Sequence, residues 1–384
     1  MELVELHILQ SFPVTCLNRD DVGAPKSAVF GGVQRARVSS QCWKRAIRLH
    51  AQQQLPAFGG TRSRYILPAL KAALLAQGQP EPAAQCLAAQ LAAALSPIDK
   101  VEEGNVKTLV YYSPQELANV VARALEQDVQ GPLGILLDSP SERAAKDAQS
   151  ALTAVAKKAV KGLAEQARDA ADIAIFGRMV ADDHTLTVDG AGMFSHALST
   201  HRAVNEVDFF SAVDDSKPMD RQDAGAGHIG TNEFTSACYY RCMAVNLDRL
   251  HEYLSHFTVD EFDAVLATLL SAAVTAVPSA RKNSMFGHSL PGYVLGLRRR
   301  GQPLSLINAF EAPVRAHQDG YLKPSTEALK AHYQALKQAY GLDAAVETSI
   351  PAVGLDRFLG HLVEGKTDPA TTAELQAVGT EVPA

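Results

Sequence analysis

Two strand-like regions enclose a long alanine-rich region, and this order constrains the fold more than any single motif does. Residues 4–12 alternate in part and are rich in branched side chains, which is typical of a β-strand. From about residue 61 to 185 alanine dominates, aromatic residues become rare and helix signals accumulate. Residues 192–203 and 236–248 regain the branched and aromatic content of strands. The order predicts an α+β domain, with a β-α-β-β-α-β sheet that carries insertions.

Helix start signals recur along the chain. Ser39 or Ser40 can cap a helix in which Trp43, Ile47 and Ala51 recur at helical spacing. Residues after about 367 are expected to form a loose tail. The other predicted elements are a helix over 81–95, capping boxes at 113–116, 139–142 and 258–261, a helix from the last of these to about 277, a loop over 278–287, a strand over 293–297 followed by a basic triplet, and a helix over 323–340.

Composition bounds the class of protein. A chain of 384 residues is long enough for two to three domains of ~150 residues each. Its 47% hydrophobic and 20% charged content is ordinary for a globular protein, and no apolar run reaches the ~18 residues of a membrane span. The first ten residues lack a signal-peptide pattern, and five scattered cysteines argue against a disulfide framework. We therefore expect a cytoplasmic protein without a membrane partner.

Residues 16–47 carry a net positive charge, opposite in sign to the net charge of the whole chain. They contain six lysines and arginines but only Asp20 and Asp21 as acids, although the net charge of the whole protein is −6. The glycine pair Gly31 and Gly32 adds flexible backbone beside these cations. Cations gathered beside such backbone are what contact with a polyanion requires, although a solvated basic face has the same composition. The segment predicts either a nucleic-acid contact or a basic surface.

Other chemistries are poorly supported. Residues 225–230 have the GxGxxG spacing of a dinucleotide site, but no strand signal precedes them and no helix signal follows. Cys238 and Cys242 lie four apart on a predicted strand, ~13 Å from each other, which is too far to share one zinc ion. Neither CxxC nor HExxH occurs. We expect neither a cofactor nor a metal.

Seven blocks of residues identify a family resemblance. The first, over 16–47, reads CLNRDD, K, FGG, RAR, SSQ and KRA in order. The others are FGRM at 176–179, HALSTH at 196–201, DFFSAVDD at 208–215, GHIGTNEF at 227–234, YYR at 239–241 and RKNSMFGHSLP at 281–291. In this order the blocks resemble the crRNA-binding backbone subunit (CasC-type) of the type I-E CRISPR Cascade complex, over roughly three quarters of the chain.

The resemblance implies a ferredoxin-like or RNA-recognition-like palm with a helical finger insertion and a thumb hairpin. The corresponding domains are residues 1–60 for the first part of the palm, 61–185 for the finger and 186–384 for the second part of the palm. The thumb would lie at about 205–236, a polar and glycine-dotted segment of a length that is usually functional.

Residues of three kinds are expected to hold RNA without reading its sequence. Cations would contact phosphates, compact donors would contact sugars and phosphates, and apolar side chains would wedge against bases. The resemblance implies that Met179 in the finger and Ile229 in the thumb are the wedges. In the loop over 281–291, hydrogen bonding by His288 to RNA is as plausible as a packing role. The full set is Asn18, Arg19, Lys26, Ser39, Ser40, Gln41, Lys44, Arg45, Arg48, Met179, Ile229, Arg281, Lys282 and His288.

The resemblance implies a protein without catalytic activity that oligomerises along CRISPR RNA. Copies would associate head to tail, beside other Cascade subunits, and displaced bases would leave short guide segments free to pair with target DNA for antiviral defence. An alternative is a guide-binding subunit that itself cleaves target RNA, with Asp20 or Asp21 as the catalytic loop aspartate.

Overall fold

The computed structural model describes residues 1–100, 105–138, 141–161, 167–180, 184–212 and 228–366. The strands are β1 Glu2–Thr15, β2 Ser27–Phe30, β3 Val33–Val38, β4 Thr61–Ser63, β5 Ile98–Lys100, β6 Asn105–Val106, β7 Val110–Tyr112, β8 Gly192–Phe194, β9 Ala197–Ser199, β10 Glu206–Ala212, β11 His228–Asn246, β12 Tyr293–Arg300 and β13 Val346–Ile350. The helices are α1 Ser40–Gln52, α2 Ile66–Ala76, α3 Glu81–Leu95, α4 Pro114–Leu125, α5 Gln130–Leu137, α6 Glu142–Val160, α7 Ala171–Phe176, α8 Leu247–Tyr253, α9 Val259–Thr275, α10 Lys282–Met285, α11 Leu322–Tyr340 and α12 Leu355–Glu364. None of these helices is both long and apolar enough to cross a membrane.

The chain divides into two compact units. The first, called the sheet unit, comprises Met1–Ala51, Met193–Leu247 and the described residues from Leu266 onward. The second, called the helical unit, comprises Gln52–Gly192 and Asp248–Val265. The predicted domain limits at 60/61 and 185/186 lie near the unit boundaries at 51/52 and 192/193. No pattern in the sequence indicated that residues 248–265 group with the helical part.

The sheet unit is built on one large antiparallel sheet. Its strand order is β13-β12-β1-β11-β9-β3-β2, and β8 and β10 pair with the long strand β11 as well. Strand β1 lies between β11 and β12, with Leu3 opposite Asn246 on one side and Arg299 on the other. This mixture of a large sheet and helices confirms the α+β prediction.

Side chains of β11 alternate between two cores, as a strand covered on both faces requires. Cys238 and Tyr240 face a core with Leu329 and Tyr333 of α11. On the other face, the Arg241 guanidinium lies 4.0 Å from the centre of the Trp43 ring of α1 and donates to the Ala273 carbonyl of α9 at 2.8 Å. At this strand the sheet therefore has helices on both of its faces.

The helical unit has its own core, made of alanine, leucine and valine side chains from α2, α3, α4 and α6. Helix α4 begins with a complete capping box. The Ser113 hydroxyl accepts from the Glu116 amide at 3.1 Å, and the Glu116 carboxylate accepts from the Ser113 amide at 2.9 Å. The capping-box prediction at 113–116 is confirmed.

Three local predictions are corrected. Helix α6 is capped by Ser141, whose hydroxyl accepts from the Ala144 amide at 3.4 Å, and not by Ser139, which lies outside the described residues. The segment over 192–203 forms two short strands, β8 and β9, and not one. The loop predicted over 278–287 contains the one-turn helix α10.

Candidate nucleic-acid interface

The basic segment folds into a closed loop, a hairpin and a helix. The Lys26 amide donates to the Asn18 carbonyl at 3.0 Å, and the Lys26 carbonyl accepts from the Arg37 amide at 2.8 Å, so the loop returns to strand β3. Within the loop, Asp20 Oδ1 accepts from the amides of Val22 and Ala24 at 3.1 and 2.9 Å. Arg19 is exposed beside this turn. The backbone of this loop is therefore held by its own hydrogen bonds.

Asn18 and Ser39 hold the start of helix α1 in place. Asn18 Oδ1 accepts from the Ser39 amide at 2.9 Å, and Ser39 Oγ accepts from the Cys42 amide at 3.3 Å. Ser39 is buried, and it is the capping residue of the two serines that the sequence allowed. Both side chains thus have structural partners, and RNA contacts by them stay a prediction.

His196 is a residue that the sequence reasoning missed. Its Nδ1 accepts from the Ser40 amide at 2.8 Å, so the first amide of α1 has a side-chain partner. Burial lowers the pKa of the His196 imidazole, and the positive charges of Arg37 and Lys26 lower it further. Since Nδ1 accepts, the neutral ring carries its proton on Nε2, and the side chain is exposed. The HALSTH block was recognised, but nothing local to it indicates a helix-capping histidine.

Helix α1 presents its cations on the flank away from the core. Trp43, Ile47 and Ala51 are buried, whereas Gln41 and Arg45 are exposed. The predicted contact residues Lys44 and Arg48 are half-buried, one turn apart, and the Lys44 ammonium lies 5.7 Å from the centre of the Phe194 ring. Burial raises the pKa of the neighbouring Cys42 thiol, while Lys26 and Arg45 act in the opposite direction. Charges from the loop and the helix therefore converge at the start of α1.

Arg35, one of the six cations counted in the segment, is not part of this surface. Its side chain is fully buried (0% exposed). The guanidinium donates to the carbonyls of Ser199 at 3.1 Å, Phe310 at 2.8 Å, Glu311 at 3.2 Å and Phe30 at 3.1 Å. Arg35 thus joins the β2–β3 hairpin to β9 and to the turn at 307–310.

The loop over 281–291 lies beside the N-terminal cations. Arg281 Nη2 donates to Asn232 Oδ1 at 2.7 Å. Burial raises the pKa of the Cys16 thiol, and Arg19 and Arg281 both oppose this, so the two guanidinium groups share one neighbourhood. Lys282 and His288, from the same block, are exposed. The structure thus brings together residues that are 262 positions apart in the sequence (281 − 19).

Met179 belongs to the helical unit and is 85% exposed. Its neighbour Arg178 is buried, donating to Glu116 at 2.8 Å and to the Leu186 carbonyl at 2.9 Å. Gly177 has φ +78°, and a Cβ there would lie 2.9 Å from the Val188 carbonyl oxygen. Only glycine fits this close turn, and together with the Arg178 anchor it forces the Met179 side chain outward.

The predicted thumb contains a β-hairpin. Strands β10 and β11 pair with Ser211 opposite Ile229, while residues 213–227 and the side chain of Ile229 lie outside the described residues. Phe209 of β10 is exposed. At the base of the hairpin, Asn205 Nδ2 donates to the Pro25 carbonyl at 3.1 Å, which joins the hairpin to the basic loop.

The two cysteines weighed in the sequence analysis and the described end of the glycine motif all fall on strand β11. Among the described residues, no group of three or more His, Cys, Asp or Glu side chains could hold a metal ion. The described end of the glycine motif, residues 228–230, lies inside strand β11 and does not open a helix. Cys238 and Cys242 are free thiols on the same strand.

Comparisons with known proteins agree with this geometry. A model of the family of CT1975-like proteins matches residues 4–360. A chain of a solved CRISPR RNA-guided surveillance complex, pre-nicking, is 26% identical, with a TM-score of 0.75 over 99% of this chain and 100% of that one. A chain of a second CRISPR RNA-guided surveillance complex is 24% identical, with a TM-score of 0.55 over the same shares, and shows the fold alone. No curated protein matches. The family resemblance is confirmed, whereas the type I-E assignment stays a prediction.

Proposed function

Since the chain belongs to the family of CT1975-like proteins, we propose that it is a backbone subunit of a type I-E CRISPR surveillance complex that grips the guide RNA by its sugar–phosphate backbone. The observation that carries the proposal is the convergence of Lys26, Arg37 and Arg45 at the start of α1. Arg19, Lys26 and Arg45 form no salt bridge with a described carboxylate. Their charge is therefore available to phosphates.

The palm assignment has a topological argument in its favour. When the β2–β3 hairpin, the elements from β4 to β8, and β10, α8 and α10 are left out as insertions, the chain runs β1, α1, β9, β11, α9, β12. This is the β-α-β-β-α-β succession of ferredoxin-like domains. The order β12-β1-β11-β9 places the first and third strands at the centre of the sheet. The finger then corresponds to the helical unit and the thumb to the β10–β11 hairpin.

In this mechanism the protein recognises the shape of the RNA backbone and not the base sequence. Lysine, arginine and the Nε2–H of His196 would contact phosphates, while Met179 and Ile229 would wedge against displaced bases. Wedging or stacking contributes ~1–3 kcal/mol per base, enough to hold a nucleotide out of the stack. Copies joined head to tail along the RNA, with other Cascade subunits, would leave guide segments free for target DNA in the cytoplasm.

The protein itself is proposed to have no catalytic activity. One oxygen of the Asp20 carboxylate accepts two backbone amides of its own turn, at 3.1 and 2.9 Å. This gives Asp20 a structural role in closing the loop that carries Arg19. Asp21 is exposed. Cleavage of target nucleic acid would then belong to a recruited partner nuclease.

A salt titration tests RNA binding. Log affinity falls as log salt rises, with a slope of about −0.7 for each phosphate contact on a single strand, so the double variant Lys44→Ala with Arg48→Ala should make this slope less negative by about 1.4. A matched control replaces Lys157 and Lys161, which are also four positions apart, at the exposed end of α6, and should leave the slope unchanged. The loss of RNA affinity in the Lys44→Ala, Arg48→Ala variant should be similar for unrelated guide sequences. A loss confined to some sequences would contradict backbone reading.

A cleavage assay separates the alternative function. Protein loaded with guide is mixed with paired target RNA and a divalent metal, and the products are resolved on a gel. We expect no cutting by the wild type. Cutting that Asp20→Ala or Asp21→Ala abolishes would replace the proposal with the alternative of a target-cleaving subunit.

A further inference from the structure

Helix α10 is bounded by two residues in a strained backbone conformation. Arg281 before it and Phe286 after it have φ of 54° and 41°, and they are the non-glycine residues with positive φ among those described. The left-handed region is unfavourable for residues with a Cβ, and least expected for bulky ones. Such outliers persist only where the surroundings enforce them, and they concentrate at ligand-binding sites.

Contacts to strand β1 enforce the conformation of Phe286. Ser289 Oγ donates to the Ser11 carbonyl at 2.7 Å, and Gln10 Nε2 donates to the Ser289 carbonyl at 2.7 Å. A Cβ on Gly287 would lie 2.7 Å from Thr15 Oγ1, so the chain after Phe286 packs directly against β1. The segment is therefore held at the residues that follow the ring, and Arg281 holds it at the other end through Asn232.

The Phe286 ring is exposed to solvent. Phe286 is 78% exposed, although burying a phenylalanine is worth roughly 1.5–3 kcal/mol. Its block contains the exposed Lys282 and His288, and Arg281 shares its neighbourhood with Arg19. The centres of protein interfaces are depleted of charged residues, whereas single-stranded nucleic acid is held by aromatic rings among cations. The charge around Phe286 favours a nucleic acid as the occupant.

We propose that Phe286 is a stacking platform for an unpaired base of bound RNA, with Lys282 beside it for the adjoining phosphate; this rests on the proposed function. Every base has a π-face, so the platform holds a base without identifying it. The strained turn fixes the ring in its exposed position before RNA arrives, which reduces the ordering cost of binding. Phe286 thus adds a contact to the set expected from the sequence.

Fluorescence tests the stacking directly. Trp43 is the one tryptophan of the chain and is buried (2% exposed), so Phe286→Trp adds a reporter over a constant background. Titration with a single-stranded oligouridylate should quench the new tryptophan. Leu290→Trp, at a nearby position that is 64% exposed, is the matched control and should be quenched less. RNA that binds the Phe286→Trp variant without quenching its new indole overturns the inference and leaves the proposed function intact. Absence of RNA binding by the wild type overturns both.

A pair of substitutions separates stacking from folding and from protein docking. Phe286→Gly removes the ring and relieves the strained φ, so the protein should be at least as stable in urea while RNA affinity falls about 5- to 150-fold. Phe286→Leu keeps an apolar side chain without a π-face and should lose nearly as much affinity. Full RNA affinity in the leucine variant overturns the inference. If the glycine variant also loses self-association in the absence of RNA, the ring is a protein-docking residue and the inference is likewise overturned.

Discussion

Replacing Arg35 by methionine should destabilise the sheet unit without acting through RNA. The guanidinium satisfies two acceptors in fully buried hydrogen bonds, the carbonyls of Ser199 and Phe310, and two that are part-buried. Each buried acceptor left without a donor costs about 1–3 kcal/mol, while the part-buried ones can bind water. We therefore expect Arg35→Met to lower the free energy of unfolding by about 2–6 kcal/mol.

The assay is urea denaturation of RNA-free protein, followed by circular dichroism. The matched control is Arg37→Ala, from the same strand, because Arg37 is only half-buried and its side chain donates to a single carbonyl, that of Ser27, at 3.2 Å. The control should change stability by less than about 1 kcal/mol. A wild-type urea midpoint for Arg35→Met, combined with weaker RNA binding, would refute the reasoning and make Arg35 a surface contact.

Two further predictions concern other buried ionisable side chains. Burial, with a smaller contribution from Arg299, lowers the pKa of His7 to about 3. The unfolded chain therefore binds a proton that the folded chain does not. Stability attributable to His7 should fall by about 1.4 kcal/mol per pH unit as the pH is lowered from ~6.5 to about 3, and His7→Gln should flatten this slope in urea melts at several pH values. Equal slopes would contradict the assignment. Arg178→Met leaves the buried Glu116 carboxylate uncompensated and should lower the free energy of unfolding by about 3–5 kcal/mol. The control Lys146→Ala removes an exposed ion pair and should lower it by at most ~1 kcal/mol. Similar urea midpoints for the two variants would contradict the prediction.

The sequence predicted correctly those features of the fold that depend only on residues a few positions apart. The spacing of Trp43, Ile47 and Ala51 identified the buried face of α1, and the capping box at 113–116 is present with both of its hydrogen bonds. Such patterns depend on neighbours three or four positions away, so a sequence displays them completely. The order of the strands in the sheet depends on pairings between distant segments, and only the family resemblance supplied any of it.

The roles of individual arginines could not be predicted from charge counts. Arg35 and Arg37 are two positions apart, yet the first is buried because carbonyls at 199, 310 and 311 converge on it from elsewhere in the chain. In the basic triplet, Arg299 is buried and pairs with Glu5 at 2.6 Å, whereas Arg300 is exposed. Arg299 and Arg300 are adjacent on a strand and point to opposite faces, whereas Arg35 and Arg37 share a face of β3 and differ only in what packs over them.

The central place of β1 has a consequence for biosynthesis. This strand leaves the ribosome long before its neighbours β11 and β12, which begin only at residues 228 and 293. At ~5–20 residues per second, an unpaired apolar strand waits for roughly 10–50 s before its first neighbour is made. The part of the helical unit over Gln52–Gly192 can meanwhile fold around short-range contacts, which form faster than pairings between remote segments. Nascent chains interrupted before residue 228 thus carry an unsatisfied, aggregation-prone strand, and we expect productive expression to depend on chaperones that cover it until β11 and β12 have been made.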